Sequence, residues 1–158
     1  MLRRALVFGM VLRAAGLLAQ PDSLPPLNQR VVAFVREQVG RRVGRGECWD
    51  LAAQALDAAG AKWDGDYGFG RKLDPDKETI LPGVIVQFEG VEFRWEEDRA
   101  IHTVSMPHHT AIILEVKAPG SFIIGQQNTR ETGRKVGAGE LVLSRRVKGS
   151  IGFYAPVE

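Results

Sequence analysis

The sequence predicts an α+β fold, with N-terminal helices packed on a small antiparallel sheet or partial barrel. Three observations carry this. Apolar residues recur at helical spacing only before Gly60. After Pro82 the apolar pattern alternates every second residue. Helical and strand segments follow one another instead of interleaving, which argues against a parallel α/β sheet. The chain has 158 residues, 44% hydrophobic and 25% charged, which suits one globular domain and excludes a disordered or low-complexity chain.

Residues 1–19 carry Arg3 and Arg4, an apolar run from Ala5 to Leu12, and small residues near Ala19. That is the layout of a secretory signal peptide, so the expected location is secreted or periplasmic. The run is too short to span a bilayer, so no stable membrane anchor is expected. Residues 20–28 read as a proline-rich linker, and residues 29–158 as a single domain. Residues 28–40 predict a helix with Asn28 as N-cap and Val31, Val32, Phe34, Val35 and Val39 as its apolar stripe. A second helix is expected from Glu47 to Ala59, ended by Gly60. The stretch 62–82 is rich in glycine and proline and reads as turns. Strands are expected at 84–88 and 91–95, joined through Glu89-Gly90, then at 101–106, 110–116, 122–127, 141–143 and 151–154.

Cys48 is the only cysteine, which excludes a disulfide framework and multi-cysteine metal sites. It opens the second helix, where free N–H groups and the positive helix end favour a thiolate. The alternative is a small apolar core residue. An unpaired cysteine in an exported chain tips the choice away from the core reading, towards a reactive thiol or an intermolecular bridge. His102, His108 and His109 are the candidate bases. If the hairpin through Ala118–Ser121 turns on Pro119-Gly120, Ala111 faces Asn128. His109, Ala111, Ile113, Gln126 and Asn128 then share one sheet face. A one-residue shift of the turn would move Asn128 to the other face.

The segments Gly46-Glu-Cys-Trp-Asp-Leu-Ala52, Leu81-Pro-Gly-Val-Ile-Val-Gln-Phe88, His109-Thr-Ala-Ile-Ile113 and Ile124-Gly-Gln-Gln-Asn128 resemble the papain-like cysteine hydrolase superfamily. The likeness is nearest the NlpC-type and CHAP branches. It extends to the cysteine-proteinase-fold domain of fungal actin-patch proteins that bind myosin tails. It implies Cys48 as nucleophile, His109 as base and Asn128 as orienter of the imidazole. Trp49 and Gln126 would border the substrate. Gln126 stands where CHAP domains usually carry Glu, and Val84 where the family often carries Asp. The resemblance implies a thiol hydrolase acting on a peptide or peptidoglycan-like substrate. The alternative is a non-catalytic module that keeps the fold and binds a protein partner.

Other features imply no cofactor. Adjacent histidines on a strand diverge, so His108 and His109 do not converge on one metal ion. Asp64-Gly-Asp66 lacks the glutamate that completes a calcium loop; Pro75 stands there. Arg3, Arg4 and Arg13 account for three of the 21 basic side chains, and without them 18 stand against 19 acids. That balance gives no support for nucleic-acid binding. Removal of residues 1–19 on export is the expected processing. Mass spectrometry of the protein from its native host checks it, and an intact Met1 or Leu2 terminus would reject it.

Overall fold

The computed structural model describes residues 24–158, so the expected signal peptide and the first four residues of the linker lie outside the described residues. Helix α1 spans Pro26–Gln38 and α2 spans Cys48–Ala59. The strands are β1 (Arg71–Leu73), β2 (Ile85–Glu97), β3 (Ala100–Ala118), β4 (Ser121–Gln126), β5 (Gly137–Val142) and β6 (Arg146–Ala155). They form one antiparallel sheet in the order β1-β6-β2-β3-β4-β5. The expected α+β architecture is therefore present. Among the described residues no helix is long and apolar enough to cross a membrane.

Helix α1 starts two residues before the expected Asn28 cap. Pro26 needs no N–H donor at a helix start and arrives with helical φ. Asn28 is instead buried inside the helix, and its Nδ2 donates to the Pro82 carbonyl at 2.8 Å. Helix α2 fits its prediction more closely. Asp50 accepts from the backbone N–H groups of Arg45 (2.8 Å) and Glu47 (3.3 Å), and Gly60 closes the helix at φ +75°.

Two apolar layers lie on the two faces of the sheet. On one face Val31, Val35, Leu51, Ala55 and Leu56 of the helices meet Ile85, Ile112 and Leu114. On the other, Val86, Phe88, Ala111, Ile113, Phe122 and Ile124 pack together without a helix. Fully burying each large aliphatic side chain stabilises the fold by about 1.5–3 kcal/mol.

The two pairs of strands expected around Gly90 and around residues 107–109 are each one long strand. Phe88, Val91 and Phe93 all face the helix-free layer. Strict alternation would send 88 and 91 to opposite faces, so the alternation breaks once between them. Gly90, at φ +59°, sits at the break. Its partner strand breaks at Pro107: Met106 packs on the same layer as Ala111. A change of sheet face halfway along a strand looks, in sequence, like two strands. The short β1 was hidden in the turn-rich stretch, because three residues show no periodicity.

The β3–β4 hairpin also departs from the assumed register. Ile113 pairs with Ile124, two residues from the partner that a turn centred on Pro119-Gly120 would give. Irregularities between Ile113 and Glu115 and between Val116 and Ala118 absorb the difference. A slip of two preserves the face of every side chain, so Gln126 still shares a face with His109.

Close helix–sheet approach depends on Gly125. A Cβ there would lie 2.5 Å from Cγ1 of the fully buried Val35. Gly125→Ala should therefore cost about 1–3 kcal/mol through overpacking. Urea denaturation measures it, and Val35→Ala in the same chain should recover part of the loss. Equal midpoints for wild type and Gly125→Ala would show that the contact yields freely.

Candidate active site

Helix α2 brings Cys48 to the helix-bearing face of the sheet. Its N-terminus is tied down by Gln127, which is fully buried. The Gln127 amide accepts from the Val43 N–H (3.1 Å) and donates to the carbonyls of Val43 (3.0 Å) and Glu47 (2.7 Å). Asn128, in the left-handed region at φ +62°, donates from Nδ2 to Glu47 Oε2 at 2.7 Å. Arg45 pairs with Asp50 at 2.8 Å. Burial works to raise the Asp50 pKa. Hydrogen bonds from the Arg45 guanidinium and from two backbone N–H groups outweigh it and hold the carboxyl below the usual range.

The structure does not bring His109 to Cys48. His109 pairs with Phe88, their rings are 5.9 Å apart, and its side chain belongs to the helix-free layer. Its Nε2 donates to Gln126 Oε1 at 2.9 Å, with both residues buried. The expected Cys48–His109–Asn128 constellation is therefore divided. Neighbouring residues of an extended strand point to opposite faces. Cys48 belongs to the helix side, His109 and Gln126 to the other, and Asn128 serves the α2 terminus. Trp49 does not stand beside His109 either. Its indole Nε1 donates to the Asp66 carbonyl at 2.8 Å and its ring packs on Trp63 at 5.6 Å.

The helix side of the sheet holds a different histidine. His108 shares its face with Thr110 and Ile112. Its Nδ1 lies 2.9 Å from Glu89 Oε2. Gln87 Nε2 donates to Glu89 Oε1 at 2.9 Å, and Thr110 Oγ1 donates to Gln87 Oε1 at 2.6 Å. An ionised carboxylate only accepts, so Nδ1 carries the proton and Nε2 is the free nitrogen. The His108 hydrogen bond lowers the Glu89 pKa against the effect of burial, and Gln87 adds to the lowering.

Tyr67 links this group to α2. Its ring meets the His108 ring edge-on at 4.8 Å. Its pKa is raised by burial first, and neighbouring Cys48, Asp66 and Glu89 add to the rise. The loop is held by Asp64, whose carboxylate accepts from the N–H groups of Asp66 and Gly68. Asp64-Gly-Asp66 is thus a turn.

Sequence reasoning missed Gln127, Tyr67, Gln87 and Glu89. Gln127 has the same parity as Gly125, the residue that lies under α1, and that parity was readable. The contact between Tyr67 and His108 joins a turn-rich loop to a strand and left no local signal.

A family model described as the AIM3/BBC1 cysteine proteinase-fold domain matches residues 26–158. The chain belongs to this family. A relative, altered inheritance of mitochondria protein 3 of Debaryomyces hansenii, is 25% identical over 148 aligned residues. The match covers 80% of this chain but only 15% of that protein. Two solved structures of Ly7917 have the same fold at a TM-score of 0.50. One is 19% identical and covers 80% of this chain and 62% of its own. The other, with the hydrolyzing product of MDP, is 20% identical and covers 82% and 63%.

Burial holds the His109 pKa below its usual value, and the Gln126 hydrogen bond only partly opposes this. The unfolded chain takes up that proton near pH 6.5, the folded one only at lower pH. The stabilisation is complete above about pH 6.5 and is lost as pH falls through the folded value. Between about pH 7 and pH 5 the urea midpoint should fall more in wild type than in His109→Gln, which keeps a partner for Gln126 but does not titrate. Parallel falls would mean that His109 is not the buried neutral group.

Proposed function

We propose that this domain is a thiol-dependent hydrolase of peptide amide bonds, with Cys48 as nucleophile and His108 as its proton carrier. One observation carries the reading. His108 shares the helix side of the sheet with the α2 N-terminus, and Glu89 fixes its tautomer at 2.9 Å. The Cys48 sulfur would attack the carbonyl carbon, and the thiol proton would pass to His108 Nε2. The C–N bond would then break, with that proton leaving on the amine. Water would cleave the thioester, releasing the acid and restoring the thiol. Backbone N–H groups at the start of α2 would stabilise the oxyanion. Cell-wall peptides as substrate, by fold analogy, and export through residues 1–19, from their signal-peptide layout, are the biological setting of this proposal.

A second reading, the non-catalytic protein-binding module, has its own support. The Tyr67 ring covers one edge of His108, and among the described residues Cys48 makes no side-chain hydrogen bond. The rate of Cys48 alkylation by iodoacetamide across pH decides between them. With a hydrolase, His108→Ala should move the alkylation midpoint up by about one pH unit or more, while His109→Ala leaves it in place. Superimposable curves for wild type and His108→Ala would favour the binding module. A shift with His109→Ala alone would restore His109 as the partner.

A further inference from the structure

The long hairpin of β2 and β3 leaves one strand edge open. Among the described residues, β3 pairs with β4 only from Ile112 onward, whereas its pairing with β2 runs from Ala100 to Ile112. Residues 100–111 thus have a partner on one side alone. Pro107 shows which groups face the open side. Met106 pairs directly with Val91, and Pro107 beside it has no N–H to give. The bonds of that pair must be those of Met106 itself. Backbone groups alternate along a strand, so Ser105, Thr103 and Ile101 turn their N–H and C=O away from β2.

This open edge is one wall of a cleft of about 420 Å³. Gln126 and residues 128–131 also line it, together with Val104 and Met106. A row of unmatched backbone donors and acceptors is complementary to another backbone and to little else. The edge opens into this lined cleft, which suits a single extended segment lying about 4.8 Å from β3.

We propose that this edge binds an extended peptide segment of a partner protein by adding it as a strand beside Ile101–Ser105. Alternate peptide side chains face Val104 and Met106. The proline at 107 ends the row and restricts the occupant to a short segment. The inference does not depend on the reactivity of Cys48 and holds for hydrolase and binding module alike.

The test uses the whole domain labelled with nitrogen-15 and a blocked heptapeptide of alternating valine and threonine. Saturable shifts of the Ile101, Thr103 and Ser105 amides are expected at millimolar peptide. The same peptide N-methylated at alternate residues should bind about tenfold more weakly or worse, and so should the Ser105→Pro variant. The N-methylated peptide leaves the protein untouched, so the test stands even if Ser105→Pro misfolds. Equal binding of the two peptides, shifts confined to Cys48 and Tyr67, or no saturable shift would overturn the proposal. So would concentration-dependent shifts of the edge amides without peptide, which would mark the edge as a contact between two copies. Because peptide binding and Cys48 alkylation are read separately, failure of one leaves the other intact.

Discussion

A single buried amide sets the position of everything on the helix side of the sheet. Gln127 leaves the end of β4 and satisfies both backbone groups of Val43 and the carbonyl of Glu47. Buried amides left unpaired cost about 1–3 kcal/mol each, so the three bonds act as one fastening. They fix the loop before α2 and with it the entry angle of that helix. The cysteine in the first turn then has no freedom to stand elsewhere. Asp50 and Asn128 secure the same turn from its other sides. The aromatic series Trp49, Trp63, Phe69 and Tyr154 fills the remaining space between α2 and the sheet.

Much of this was legible in the residues. The stripe of α2, its Gly60 stop and the segregation of helices from strands follow from local chemistry, and the structure has them. The family resemblance rested on short segments around Cys48, Val84, His109 and Asn128, and the fold it implied is present. What could not be read was the sidedness of the two adjacent histidines. In a strand, sidedness is a matter of parity, and parity passes from one element to the next only through turns and bulges. Here one break at Gly90 and Pro107 and a two-residue slip in the β3–β4 hairpin intervene. The slip happened to preserve the shared face of Gln126 and His109. It could not bring that face to the helix. Ile112 and Leu114 have the parity of His108 and lie beneath the helices, but Ala111 and Ile113 are apolar as well, so the alternation alone does not tell the two faces apart.

The two histidines illustrate how one strand supports opposite electrostatic environments. His109 is surrounded by apolar atoms and a neutral amide, and burial decides its protonation. His108 is half exposed and sits against a carboxylate. A hydrogen bond of that exposure contributes little to stability, about 1 kcal/mol or less. Its value is geometric, because it fixes which nitrogen points outward. Stability and chemistry are thereby assigned to adjacent residues without competing for the same side chain.

The strand order carries a consequence for how the protein is made. β6 is synthesised after every other strand, yet it lies between β1 and β2. Until it emerges from the ribosome, β1 has no neighbour and one edge of β2 is bare. Tyr154, on β6, closes the aromatic wall against Phe69. A nascent chain can therefore assemble the β2–β3–β4–β5 sheet early, but the Phe69–Tyr154 contact waits for the last strand. During that interval an uncovered strand edge is open to wrong partners. The aromatic series that begins at Trp49 is correspondingly the last part of this fold to close.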